Sequence, residues 1–381
     1  MADLGLPAEG LFVGRVWRAG VGPCVVTVRQ GRVVDITTKA APTMRDLLEQ
    51  ADVVAFVAGI AGEDLGALVD IAAASVEPVG EVTHLLAPCD LQAVKACGVT
   101  FARSMIERVI EERAAGDASR ALAIREKLGG ILGDNLRHLV PGSEKAMEVK
   151  RLFKAEGLWS QYLEVGIGPD AEVFTKAPPM AAVGWGASVG LHPISQWNNP
   201  EPEVVLAVSS KGQIVGAALG NDVNLRDVEG RSALLLGKAK DNNAAASIGP
   251  FVRLFDTSFS LDDVRSAELT LRVEGTDGFV LDGRSSMAEI SRDPADLVAQ
   301  AWGRHHQYPD GFMLYCGTMF APVQDRDGPG QGFTHHLGDR VVIATPALGA
   351  LVNTVRFSTE APEWVFGAGA LMRNLAGRGL L

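Results

Sequence analysis

The period of the hydrophobic pattern changes twice along this chain of 381 residues. Up to about residue 90, runs such as LFVGRVW and CVVTVRQGRVVDIT alternate apolar and polar positions around glycine-containing turns, Gln30-Gly31 among them. A period of two predicts half-buried strands. From residue 102 to about 136, apolar positions recur at helical spacing among charged ones: Ile106, Val109 and Ile110, then Leu122, Ile124 and Leu128. The stretch SEKAMEVKRLFKAEG predicts another helix, with Ser143 as its N-cap and Gly157 as its stop. Beyond residue 160 strands return as VVLAV, IVGAAL, AELTLRV, FMLYCGT and DRVVIAT, separated by Gly, Pro, Asp and Asn. The closing WVFGAGALMRNLAG predicts one amphipathic helix.

Strands and helices do not alternate regularly, which argues against a doubly wound sheet or an eightfold barrel. The expected class is α+β and mostly β. Length and a hydrophobic fraction of 47% are enough for two cores. A small β-rich domain is expected over residues 1–90 and a larger catalytic domain over 91–381, with a helical section at about 102–157.

A formal charge of −11 disfavours a nucleic-acid partner, because binding phosphates requires clustered Lys and Arg. The longest uncharged apolar run, residues 53–62, is far short of the ~20 residues that span a bilayer. The opening MADLGLPAEGLFVGRVWRAG lacks a basic stretch followed by an apolar one. A cytoplasmic protein with no membrane partner is expected. Cys24, Cys89, Cys97 and Cys316 form no C-x-x-C pair. They read as reduced thiols, buried as small hydrophobes, not as a zinc or disulfide framework.

Candidate chemistry concentrates in NNPEPEVVLAVSSKGQIVGAALGNDVNLRD. Two apolar runs flank residues 209–212, which predicts an antiparallel hairpin turning at Lys211-Gly212. Glu201 and Glu203, two apart on a strand, share a face with Cβ atoms roughly 7 Å apart. If Lys211 and Gly212 are the loop, Ser210 pairs with Gln213 and Glu201 lies opposite Asp222. Three gathered carboxylates call for a hard divalent cation, Mg²⁺ or Mn²⁺. The plainer alternative is a solvated strand entrance at Glu-Pro-Glu. Lys240, in GKAKDNNAAASIGP, is the candidate base, since a nearby cation disfavours its charged form; otherwise it is a surface lysine.

These residues resemble the fumarylacetoacetate hydrolase superfamily. Its Glu-x-Glu pair matches Glu201 and Glu203, and its N-D-V-x-x-R-D motif matches Asn221 through Asp227. Its following Lys and Gly-Pro match Lys240 and Gly249-Pro250. The F-x-K-x-P segment resembles Phe174 to Pro178, the Gly-Thr turn Gly317-Thr318, and the G-D-x-V pattern Gly338 to Val341. The resemblance implies a mixed β-roll or sandwich with flanking helices, a metal held by Glu201, Glu203 and Asp222, and a homodimer or homotetramer.

One position departs. Where hydrolases and decarboxylases of the superfamily carry G-x-N-Y-x-x-H-x-x-E, this chain has Ser104 in place of the His and keeps Glu107. Serine cannot accept a proton at neutral pH as imidazole does, which disfavours water-activated C–C cleavage. Ser104-x-x-Glu107 also reads as a capping box. The G-V-T-F variant, SQYLEVGIGPDAEVFTK, QWNNPEPE and the segment from residue 305 to 335 are similar to the sugar-acid dehydratases of the superfamily. This implies dehydration of a 2-keto-3-deoxypentonate such as 2-keto-3-deoxy-D-xylonate to 2,5-dioxopentanoate. Lys240 is then the base and Glu107 the acid, or the reverse, while Ser104 and Thr318 touch substrate. The alternatives are a 2,4-diketo acid hydrolase, a serine hydrolase built on Gly186-Ala187-Ser188-Val189-Gly190, and a non-catalytic sugar-acid binder.

Overall fold

The computed structural model describes residues 4–78, 80–124, 139–155, 157, 159–320 and 322–381. Gln30 and Gly31 both take positive φ, 50° and 71°, the two-residue turn whose twist suits an antiparallel pair. They join Gly22–Arg29 to Arg32–Asp35. On the other side of Gly22–Arg29 lies Phe12–Arg18, which in turn pairs with Ala246–Leu254 through Phe12↔Arg253 and Val13↔Val252. The ladder therefore continues from the first strands into those that follow residue 200, forming one sheet of eleven strands. The small domain expected over 1–90 is not a separate sheet. Val13, Val25 and Met44 share an apolar cluster with Val205 and Met313, so the first strands satisfy their backbone edge and their apolar faces only against the rest of the chain.

A second sheet of five strands includes Glu268–Glu274, where burial alternates strictly along the strand. Its Leu269, Leu271 and Val341 pack with Val204 and Leu206 of the large sheet. This contact sets the orientation of the strand Pro202–Val208. With Val204 and Leu206 turned toward the small sheet, Glu203, Val205 and Ala207 face the other way. Ser188–Leu191 is a strand paired in parallel with Gly349–Phe357, so the G-x-S-x-G segment forms no strand-turn-helix elbow and the serine hydrolase alternative falls.

Helices cover the remaining side. Ala102–Ala114 is 13 residues long and shorter than the pattern predicts. Ala115 and Gly116, with φ of 56° and 75°, end it in the left-handed geometry common at helix C-termini. Met105, Val109 and Ile110 are buried in a third apolar cluster; Leu122 is 44% exposed, and Leu128 lies outside the described residues. Glu144–Ala155 starts where expected, with Ser143 Oγ accepting from the Ala146 N–H at 3.2 Å. The tail forms Ala368–Gly377 and buries Leu371 and Leu375. Among the described residues no helix is long and apolar enough to cross a membrane.

Candidate metal centre and active site

The hairpin brings the expected carboxylates together by a route that differs in detail. Ser209 N–H donates to the Gln213 carbonyl at 2.9 Å, so the loop has three residues and ends at Gly212 with φ 74°, a conformation L side chains rarely adopt. That shifts the register by one from the expected pairing. A bulge between Ala207 and Val208 shifts it back, and Pro202 pairs with Asn221. Asp222 N–H then donates to the Glu201 carbonyl at 3.0 Å. A carboxylate oxygen from each of Glu201, Glu203 and Asp222 lies within 4.8 Å of the other two, and all three side chains are buried.

Their partners are unequal. Asp222 receives Lys176 Nζ at 2.7 Å and Lys240 Nζ at 3.1 Å. Burial pushes its carboxyl up, but the two ammonium groups outweigh burial and hold it below its ordinary range. Glu201 receives Lys240 Nζ and Arg108 Nη2, each at 2.5 Å. Glu203 accepts only the Gly317 N–H, at 2.6 Å, with no ion pair among the described residues. Burial, then Asp222 and Glu201, push its carboxyl well above the usual range. A buried carboxyl beside two others and without a counter-charge is what a divalent cation with oxygen ligands relieves, so the donor set fits such an ion. Lys240 is itself buried, and Asp222, Glu201 and Glu229 outweigh that burial and hold it charged. With no ion among the carboxylates, it holds its proton tightly.

The helix Ala102–Ala114 turns a polar stripe inward. Ser104, Glu107, Arg108 and Glu111 follow i, i+3, i+4, i+7 spacing and so share one face. Arg108 bridges Glu201, Glu111 at 2.6 Å and Glu229 at 3.0 Å. Arg226 stacks on Trp197 at 4.2 Å and holds Glu111 at 2.7 Å and Glu107 at 3.5 Å. Ser104 Oγ donates to the Phe101 carbonyl at 3.0 Å, and the helix N-cap, Phe101, takes no side-chain cap, so the capping-box reading does not hold. The chain enters this helix through Val99, a β-branched residue at φ 58°. Thr100 holds it there, its Oγ1 donating to the Cys316 carbonyl at 2.7 Å.

A second strand supplies residues that the sequence reading passed over. On Glu172–Ala177, Glu172, Phe174 and Lys176 occupy alternate positions and share a face. Lys176 is fully buried; besides Asp222 it donates to the carbonyls of Val223 at 3.0 Å and Lys240 at 2.5 Å. Glu172 lies across the ladder from Gly98, where any Cβ would collide with its carboxylate. Burial and the charge of Glu229 raise its carboxyl to about 7. Phe174-x-Lys176 was visible in the sequence, and stepping back two residues along the strand would have found Glu172.

Two adjoining cavities result. The first is lined by the triad, Lys240, Glu172, Ser104, Arg108 and Thr318. The second shares Ser104, Arg108, Glu201 and Thr318 and adds Glu107, Asn199 and Arg226. Glu107 lines the second cavity and not the first. The four cysteines are free and buried; burial, with Glu203 nearby, pushes the Cys97 thiol up.

The fumarylacetoacetate (FAA) hydrolase C-terminal family matches residues 167–356. A Haloferax volcanii protein named "Probable 2-keto-3-deoxyxylonate dehydratase" is 32% identical over 194 residues, 51% of this chain and 63% of its own length. A 2-dehydro-3-deoxy-D-arabinonate dehydratase of Saccharolobus solfataricus is 28% identical over 185 residues, 49% of this chain and 58% of its own length. Each match thus spans less than two thirds of the relative. Among solved structures, 2-keto-3-deoxy-D-arabinonate dehydratase in its apo form superposes with a TM-score of 0.63 at 18% identity, covering 92% of this chain and 99% of its own. The same enzyme complexed with magnesium and 2,5-dioxopentanoate gives 0.62 at 19%, covering 92% and 99%. Residues 167–356 thus form a domain of the fumarylacetoacetate hydrolase C-terminal family, in a chain that shares the fold of these solved structures.

Proposed function

We propose that this protein is a metal-dependent hydro-lyase that converts a 2-keto-3-deoxypentonate, such as 2-keto-3-deoxy-D-xylonate, to 2,5-dioxopentanoate. One observation carries the reading. Glu203 is buried with no cation against it among the described residues, in a cavity that also holds a charged lysine, Lys240, and a carboxyl poised near neutrality, Glu172. The names of the relatives support the substrate class. The four free thiols fit a cytoplasmic setting, and assembly as a homodimer or homotetramer belongs to the same proposal.

Glu201, Glu203 and Asp222 would hold the cation, Mg²⁺ or Mn²⁺, which supplies Lewis acidity toward a bound 2-keto acid. Glu172, near its midpoint at neutral pH, takes the C3 proton. Lys240, whose ammonium a cation bound by these carboxylates would make more acidic, supplies a proton to the C4 hydroxyl, which leaves as water. The resulting 5-hydroxy-2-oxopent-3-enoate becomes 2,5-dioxopentanoate by moving two protons, one from C5 to C3 and then the enol hydroxyl proton to C4, with no net redox change. Glu172 thus replaces Glu107, which Arg226 holds in the second cavity. Lys176 and Arg108 position the carboxylates, and Thr318, between the two cavities, positions substrate.

Gly98→Ala tests where Glu172 is held. A methyl group at 98 displaces the carboxylate from its place over that residue. The expected result is a fall in kcat of at least ~10-fold with Mg²⁺ affinity by calorimetry unchanged. Equal losses in both would mean that Gly98 supports only the fold.

The function itself is tested by turnover of 2-keto-3-deoxy-D-xylonate with Mg²⁺, with and without chelator, following 2,5-dioxopentanoate through an aldehyde dehydrogenase. Chelator-sensitive product formation is expected. No product, together with pyruvate release from a 2,4-diketo acid, would replace the reading with that of a hydrolase.

A further inference from the structure

Asn199 lines the second cavity, and its Oδ1 has no hydrogen-bond partner among the described residues. Asn199 is 2% exposed, and its backbone is fixed by pairing with Asn224. Its Nδ2 donates to the Pro200 carbonyl at 2.9 Å, while its Oδ1 is buried without a hydrogen-bond partner. The other polar side chains lining the cavity are already engaged. Arg226 is held by Glu111, Glu107 and the Pro322 carbonyl, and Arg108 by three carboxylates. Ser104 Oγ donates to Phe101, and Thr318 Oγ1 accepts from the Phe320 N–H at 3.1 Å. A buried acceptor without a donor is costly, and a ligand that brings the donor recovers that cost.

We infer that Asn199 Oδ1 accepts a hydrogen bond from a hydroxyl at the end of the substrate remote from its keto-acid group, and thereby selects hydroxylated 2-keto acids over alkyl ones. The inference rests on the dehydratase reading and adds the group that reads the substrate's far end. The two cavities share Ser104, Arg108, Glu201 and Thr318, so a chain whose keto-acid end lies at the triad extends into the second. Glu107, Glu111 and Glu201 outnumber Arg108 and Arg226 in the lining of that second cavity and disfavour an anionic tail. A neutral O–H suits both the free acceptor and this field. In a 2-keto-3-deoxypentonate the C4 hydroxyl departs, which leaves the C5 hydroxyl to meet Asn199.

The test compares 2-keto-3-deoxy-D-xylonate with its 5-deoxy analogue, 4-hydroxy-2-oxopentanoate, whose product 2-oxopent-3-enoate is followed by ultraviolet absorbance. Wild type is expected to prefer the hydroxylated substrate by at least ~100-fold in kcat/KM, because a site built to bond a hydroxyl rejects the analogue lacking it. Asn199→Ala is expected to lose most of that ratio through the hydroxylated substrate alone, with Mg²⁺ affinity unchanged. Should that variant lose its metal affinity, Asn199→Ser, which keeps a short acceptor, is judged by the same ratio and is expected to retain part of it. Equal losses on both substrates, or no preference in wild type, overturn the inference and leave the dehydratase reading standing. Failure of wild type to turn over either substrate while it binds Mg²⁺ overturns both.

Discussion

Glu203→Gln is expected to abolish turnover, by at least ~10³-fold in kcat, since a carboxylate that holds the ion is lost, while the protein keeps its fold. Gln has nearly the same volume, and its amide oxygen can still accept the Gly317 N–H that Glu203 accepts at 2.6 Å. No ion pair is lost, because Glu203 has none among the described residues. The substitution also replaces a buried carboxyl, whose charged form burial and two neighbouring carboxylates oppose, with a neutral group. Without metal, thermal unfolding of the variant should therefore occur at or above the wild-type temperature. With saturating Mg²⁺ only wild type should gain stability, because only a ligand bound to the native state shifts that equilibrium. An active variant indifferent to chelator would remove the metal centre from the account. Asp222 offers no such clean test, since its removal strands the ammonium groups of Lys176 and Lys240.

For Glu172→Gln the expected loss in kcat is at least ~10²-fold, the usual scale for a general base, with Mg²⁺ affinity retained. Its carboxyl, raised to about 7, acts as a base when ionised, so wild-type kcat/KM should rise with pH through that region and the variant's residual activity should not. The same shift predicts a stability signature in the metal-free protein. The folded-state value lies above the unfolded one, so the contribution is fully present below pH 4.5 and is lost as pH rises through about 7. The loss is worth roughly 3 kcal/mol at about 1.4 kcal/mol per unit. Urea unfolding at pH 5 and pH 8 should show the difference in wild type and much less of it in Glu172→Gln. Identical pH dependence in both proteins would assign the neutral-pH carboxyl to another residue.

How far the sequence reaches can be judged residue by residue. The pairing of Glu201 with Asp222 was legible because side chains alternate on strands and hairpin register is arithmetic. A two-residue loop and a three-residue loop compensated by one bulge place the same residues opposite each other. Ser104 and Glu107 were legible as a departure from a family motif. Arg108 and Glu111 were equally present in the i, i+3, i+4, i+7 pattern. A polar helical stripe usually faces water, however, and only the packing of Met105, Val109 and Ile110 into a separate cluster turns this one inward.

By itself, the sequence determined the strands, most of the helices, the hairpin and its three carboxylates, because these depend on local periodicity and on spacing along one segment. The tertiary structure decided what depends on contacts between distant segments. It joined the first strands to the large sheet. It placed Glu172 against Gly98 and Lys176 against Asp222, and it moved Glu107 into the second cavity. It also set the charge of Lys240. With no ion bound, three carboxylates drawn from separate elements outweigh its burial and hold it charged. Proton affinities and counter-charges are properties of the assembled neighbourhood, and no single segment carries them.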